Sequence, residues 1–154
     1  MLDEVDIQIL SYLQKDGKLT AKNLADRIEL TQTPVYERIR KLERSGVIRK
    51  YVALLDSAQI GKNLVVFMNI SLKEHSNEIR DGLTSSLARL DEVTELYQTS
   101  GTYDFIAKIC ISDITEYRDF LVQEIAAIEG IKDIVSHIVL DCVKYSTELP
   151  LSSI

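Results

Sequence analysis

The apolar residues change period along the chain, and this change limits the accessible folds more than any other feature. From Val5 to Leu42 they recur at three- and four-residue spacing. "LDEVDIQILSYLQKDG" carries Val5, Ile9, Tyr12 and Leu13 on one stripe; "LTAKNLADRIEL" carries Leu24, Ala25 and Ile28; "LTQTPVYERIRKLERSG" carries Val35, Ile39 and Leu42. That spacing predicts three short helices, each packing one face. Asp3, Thr20 and either Thr31 or Thr33 stand where N-caps belong, Pro34 fits the first turn of the third helix, and Gly17 and Gly46 stop the first and third. Three short helices with a tight turn before the third make a helix-turn-helix. "VIRKYVALLD", after Gly46, is strand-like and is expected to supply a small wing and an exit strand.

From Leu64 onward strands and helices alternate. "LVVFMNISL", "EVTELYQTS", "DFIAKICI" and "IVSHIVLDCVKY" read as strands. "NEIRDGLTSSLARL" reads as a helix with Ile79, Leu83, Leu87 and Leu90 in register, and "ITEYRDFLVQEIAAI" as one with Ile114, Tyr117, Leu121, Ile125 and Ile128 in register. The order βαββαβ is the ferredoxin-like arrangement, with an expected strand order of four, one, three, two. The chain is therefore expected to be α+β: a winged helix-turn-helix over 1–52, a linker strand and loop over 53–63, and a βαββαβ domain over 64–154.

Charge divides along the same line. The formal net charge is −6, with +2 on residues 1–52 and −8 on the remainder. Phosphate would be repelled by the second part, so any nucleic-acid footprint belongs to the first. Six cations lie between Arg38 and Lys50 (Arg38, Arg40, Lys41, Arg44, Arg49, Lys50) against the single acid Glu43. A basic helix of this kind suits a major groove, whose rims are phosphates. The same cations also suit a solvated face that offsets the dipole at a helix C-terminus. Thr31, Gln32, Thr33, Tyr36 and Glu37 are at the start of this helix, where side chains meet base edges. Arg38, Arg40, Lys41 and Arg44 are better placed for phosphates, although Arg40 can also read guanine. Glu37 can accept from cytosine or pair with Lys41.

Cys110 and Cys142 each lie in an apolar run, which predicts reduced, buried thiols, and the expected strand order keeps them too far apart for a disulfide. The longest apolar run, "LVVFM", is far too short to span a membrane, and no signal peptide is evident at the start, so a cytoplasmic protein is expected. The two histidines and two cysteines do not have zinc spacing. His75 is expected to be solvated and His137 to pack on a strand face. Neither cofactor nor enzyme activity is expected, because no phosphate loop, nucleophile–base constellation or carboxylate pair stands out. A small enzyme on the βαββαβ half remains an alternative.

"LQKDGKLT", "TPVYERIRKLERSGVI" and "SGTYDF", in that order, together with the two-part organisation, resemble the Lrp/AsnC family of feast/famine transcriptional regulators. The resemblance runs from Leu2 to about Glu148. It implies a sequence-specific DNA-binding regulator of transcription that joins a winged helix-turn-helix to a ligand-sensing domain. It further implies dimers paired through the sensing domain, often octamers, and a small effector, an amino acid, bound between dimers. An architectural DNA-wrapping protein without effector is the other reading. Two positions depart from the family. Glu29 stands in the turn before the third helix where relatives commonly have Gly, and Lys50 stands near the wing where many have Gly. Lys50 there adds a cation to the DNA-facing set.

A free amino acid presents a carboxylate and an ammonium. In "SGTYD", Ser100 to Asp104, backbone N–H groups of a Gly-containing turn suit the first and Asp104 suits the second. The plain alternative is a hairpin whose backbone Asp104 caps. The resemblance carries the effector site onto Gly101, Thr102, Tyr103 and Asp104, and has Tyr97, Ile114 and His137 line the pocket and select the ligand side chain.

Overall fold

The structure is a computed structural model that describes residues 2–151. Leu55–Val143 forms one compact unit. The residues before it, with the described residues from Lys144 on, form the other.

In the helical unit, α1 (Glu4–Lys15) starts at a capping box: the Asp3 carboxylate accepts from the Asp6 N–H while the Asp6 side chain accepts from the Asp3 N–H. A second capping box, Thr20 with Asn23, opens α2 (Ala21–Arg27). The chain then turns through Glu29, whose φ of +56° is the left-handed value that a Gly would take at less cost. The third helix, α3 (Gln32–Arg44), has Thr31 at its cap position, but the hydroxyl makes no capping bond. Gly46 closes α3 at φ +76°, where its N–H donates to the Glu43 carbonyl and the N–H of Ile48 to that of Leu42. Ile9, Leu10, Leu13, Leu24, Ala25, Val35 and Leu42 form the core. Val5, Tyr12 and Ile39, expected on the inner stripes, are only partly buried, and Leu10 and Asp6 lie inside instead.

Residues 49–56 form no strand, so the expected wing and exit strand are an extended segment. Its apolar side chains Tyr51, Val52, Leu54 and Leu55 are exposed. A strand needs a hydrogen-bonded neighbour, and the single chain offers this segment none. The tail also differs from expectation, for it groups with the helical unit. The Gln14 amide donates to the Leu149 carbonyl at 3.1 Å and accepts from its N–H at 2.6 Å, and Leu151 packs on the helical core.

The second unit is a four-stranded antiparallel sheet carrying two helices. Its elements are β1 (Leu64–Leu72), α4 (Asn77–Leu87), β2 (Val93–Gln98), β3 (Phe105–Ile111), α5 (Ile114–Phe120) and β4 (Ile131–Ile138). The sheet order β2-β3-β1-β4 is the ferredoxin-like one. Val66, Met68, Ile70, Phe105, Ala107, Ile109 and Ile111 point to one face and pack with Leu83, Leu87, Tyr117, Phe120 and Ile125 of the helical layer. The alternate residues, among them Phe67, Ile106, Lys108, Cys110, Val135 and His137, form the other face, which no element of this unit covers. In the fifth helix Tyr117 and Ile125 are buried and Leu121 and Ile128 pack against the core, as expected. Ile114, at its first position, is exposed, however, and Phe120 is buried as well. At Leu121 the helix passes into a π-turn over Leu121–Ile125. The last strand stops at Ile138, and Cys142, expected to be buried, is exposed beyond it.

Candidate nucleic-acid interface and effector hairpin

The interface candidate is the outer side of α3. Val35 and Leu42 are fully buried and Ile39 partly, which fixes the helix by a narrow stripe. Opposite that stripe, Thr31, Gln32, Thr33, Tyr36, Glu37, Arg40, Lys41 and Arg44 are all exposed, and Lys50 is exposed on the segment that follows. Pro34, Tyr36, Glu37, Arg38, Arg40, Lys41, Arg44 and Asp3 line an open groove along this side. Glu43 is partly committed: its carboxylate accepts from Arg40 Nη1 at 3.3 Å and from the Tyr51 hydroxyl at 3.2 Å. Burial, and then the Glu43 charge, push the Tyr51 hydroxyl above its ordinary pKa.

Arg38 differs from the other cations. It is half-buried, and its Nη1 lies 2.5 Å from Asp3 Oδ2 and 2.8 Å from Asp6 Oδ1. Asp6 is the one buried charged residue among those described, at 1% exposure. Hydrogen bonds to Asp3 and then to Asp6 raise the Arg38 pKa. The Asp6 N–H, with the Arg38 guanidinium behind it, holds the Asp3 carboxyl below its ordinary range. The sequence marks Asp3 only as an N-cap and does not single out Asp6. A signal existed, because Asp6 shares the stripe of Ile9, Leu10 and Leu13 at helical spacing.

The candidate effector hairpin joins β2 to β3. Its ends are tied by Thr99 N–H to the Asp104 carbonyl at 2.9 Å and by the Thr99 hydroxyl to the Tyr103 carbonyl at 2.7 Å. Gly101 sits at φ +143° with open space where a Cβ would be, and Thr102 is exposed beside it. Asp104 Oδ2 accepts from the Leu72 N–H at 2.8 Å, at the irregular end of β1, and Oδ1 lies 3.2 Å from Nδ1 of the exposed His75. The carboxylate therefore caps backbone, that of β1 rather than of its own hairpin.

The other expected pocket residues are dispersed. Tyr97 is on β2 and His137 on β4, the opposite edges of the sheet, about 14 Å apart at ordinary strand spacing. The Tyr97 hydroxyl donates to Glu95 at 2.7 Å, and this bond raises its pKa. Glu95 in turn is held below its ordinary range by Lys108 first and Tyr97 second. Ile114 follows β3, whereas the hairpin precedes it, so the strand's length of about 20 Å separates them. Within one chain these residues line no common pocket.

Among the described residues no His, Cys, Asp and Glu cluster could hold a metal ion, and no helix is long and apolar enough to cross a membrane.

Comparison with known proteins agrees with this geometry. Residues 2–49 match the model of a winged helix-turn-helix DNA-binding domain, and residues 65–149 that of the Lrp/AsnC ligand binding domain. The leucine-responsive regulatory protein of Klebsiella pneumoniae is 34% identical over 99% of this chain and 93% of its own length. An AsnC family transcriptional regulator from Agrobacterium tumefaciens superposes with a TM-score of 0.93 at 38% identity, covering 97% of both chains. A transcriptional regulator from Neisseria meningitidis, solved in complex with L-Met, gives the same TM-score at 29% identity, again over 97% of both chains. The chain belongs to the Lrp/AsnC family of transcriptional regulators, with a helix-turn-helix DNA-binding domain followed by a ligand-binding domain.

Proposed function

We propose that this regulator reads operator DNA in the major groove with the outer side of α3 and senses an amino acid at a site shared between copies of the chain. The observation that carries the first half is the exposure of Arg40, Lys41 and Arg44 on the side of α3 away from Val35 and Leu42. Thr31, Gln32, Thr33, Tyr36 and Glu37, at the N-terminal end of that side, meet base edges. Arg40, Lys41, Arg44 and Lys50 meet phosphates. The test is anisotropy titration of a duplex enriched from a randomised pool by the wild-type chain. Arg44→Ala weakens binding to all sequences alike and lowers the salt slope by about one unit. Unchanged affinity at fixed salt takes α3 out of the interface.

Two observations support the second half. Gly101, Thr102, Tyr103 and Asp104 lie far from Ile114 and His137 within one chain, so a pocket using all of them needs more than one copy. The uncovered sheet face, with Phe67, Ile106 and Val135, and the exposed Leu140 and Val143 beyond β4, make an apolar surface unusual for a monomer. Copies pair through this surface as at least a dimer, and dimers build toward an octamer, in the cytoplasm. The Neisseria meningitidis relative was solved with L-Met, which favours an amino-acid effector. Asp104 supplies the partner for the ligand ammonium through the oxygen that faces His75. Asp104→Asn keeps an acceptor for the Leu72 N–H but removes the charge, so it costs roughly tenfold or more in effector affinity. Calorimetry with the best ligand from a thermal-shift screen of the twenty amino acids measures it. Equal affinity in variant and wild type removes Asp104 from the site.

A further inference from the structure

We propose that Arg38 is a positioning residue of the DNA-reading helix: clamped by Asp3 and Asp6, it fixes the rotation of α3 against α1 and thereby the discrimination between operator and other DNA. The inference rests on α3 being the reader.

A narrow apolar stripe, Val35 and Leu42 with the partly buried Ile39, sets the face by which α3 packs. Only Val35 and Leu42 are fully buried on it, and apolar burial has no directional preference. Arg38 lies between them in sequence, three residues after the first and four before the second, at the edge of the packed stripe. Its Nη1 bears two protons, and one acceptor stands at each: Asp3 Oδ2 at 2.5 Å and Asp6 Oδ1 at 2.8 Å. Those carboxylates are themselves immobilised, because they form the reciprocal capping box of α1. The Asp6 carboxylate is 1% exposed and paired with Arg38, so any rotation that separates the two leaves a buried polar group without this partner. Arg40, Lys41 and Arg44 follow on the same rigid helix, so a turn of α3 displaces every outward side chain together. The clamp thus ties the start of the chain to the face that meets DNA.

Arg38 is 31% exposed at its side chain and could instead be a phosphate ligand. The two roles give opposite signs for Asp6→Asn. A phosphate-binding Arg38 would be released by that change, and one acid near DNA would vanish, so affinity for every sequence would rise. A positioning Arg38 would lose its anchor.

The experiment uses the full chain and two probes: the duplex enriched from a randomised pool by wild type, and a shuffled duplex of the same composition. Asp6→Asn and Arg38→Met are each expected to reduce the affinity ratio between the two by about tenfold, the value of one well-made base contact. The double variant is expected to do no worse than Arg38→Met, since both changes break one clamp. Partial unfolding lowers both affinities alike and leaves the ratio unmoved, so the ratio separates positioning from mere stability. Circular dichroism sets a temperature at which each variant is folded. If Asp6→Asn does not fold, Asp3→Asn, at an exposed position, carries the same comparison with a smaller drop. A ratio that stays at its wild-type value, or tighter binding of both duplexes by the Asp variants, overturns the inference. Failure of the wild-type chain to enrich or bind any duplex overturns the underlying reading of α3, and is told apart because it needs no variant.

Discussion

In the helical unit, the side chains expected to meet DNA, Lys50 on the following segment apart, belong to one helix, held by Val35 and Leu42 below and by the Arg38 clamp at its edge. In the sheet unit, the side chains expected to meet an effector lie on opposite edges and at opposite ends of the sheet. Both units are built on buried apolar cores, yet they present function at different levels of organisation. A groove-reading surface needs only a helix with a cation-rich face, which local sequence can encode. A pocket for a small molecule needs walls converging from several directions, and a single open sheet with one uncovered face does not provide them. On the proposed reading, assembly belongs to the sensing site and not to the DNA-reading surface.

The largest effect that sharpens this contrast is expected from Leu42→Ala. Leu42 is 2% exposed in the small helical core, and truncation costs about 2–5 kcal/mol. The helical unit is expected to melt first and alone, giving a biphasic thermal transition in which the signal of the sheet unit persists and DNA binding is lost. A single cooperative transition would mean that the two units do not divide as described.

Next comes Phe67→Asp on the uncovered sheet face. Phe67 pairs with Lys108 on one side and His137 on the other, at the middle of that face. A carboxylate there is expected to dissociate the assembly and abolish effector binding while leaving the monomer folded, because Phe67 is 39% exposed in the single chain. Sedimentation velocity reads the outcome. An unchanged assembly would move the pairing surface elsewhere.

A smaller effect is expected from Tyr117→Phe, which breaks the 2.6 Å bond between the Tyr117 hydroxyl and Ser136 Oγ that ties α5 to β4. The loss of one hydrogen bond is about 1 kcal/mol, seen by denaturant melting in the sheet unit only. Acid gives the smallest effect. Asp3 in the helical unit and Glu95 and Glu116 in the sheet unit all have carboxyls held below their ordinary ranges: Asp3 by the Asp6 N–H, Glu95 by Lys108, Glu116 by the Ser112 hydroxyl. A depressed carboxyl stabilises the fold above its unfolded pKa, and that contribution fades as pH falls through the folded value. Both units are therefore expected to lose stability below about pH 4, where unfolded carboxyls titrate. Asp3→Asn should flatten the acid response of the helical unit alone, as followed by melting across pH.

Much of this organisation can be read from residues near one another in sequence. The switch of period at Leu64, the N-caps at Asp3 and Thr20, the left-handed Gly46 and the strand order all follow from local pattern and known topology. Glu29, read as a substitute for Gly, indeed takes a positive φ. What escaped depends on partners distant in sequence or absent from the chain. The segment after Gly46 has strand-like residues but no neighbour to pair with. Phe120 is buried beside Tyr117, next to a π-turn over Leu121–Ile125 that the apolar spacing does not mark, and Ile114, at the first position of α5, is exposed. Arg38 reads as one more cation on a helical wheel, because the acids that hold it lie 35 and 32 residues earlier. The placement of Tyr97 and His137 on opposite edges already follows from the expected strand order, whereas the motif that marks them carries no distance between them.

Subunit complementation tests the shared site most directly. Asp104→Asn and His137→Ala are each expected to weaken effector binding when pure. Co-expressed in equal amounts and purified as mixed assemblies, they are expected to regain roughly a quarter of the wild-type sites, since a site drawing each residue from a different copy is intact when both are native. Calorimetric stoichiometry reads that fraction directly. Mixed assemblies that recover no sites, although both variants are present in them, would place Asp104 and His137 in one chain's pocket and contradict the account.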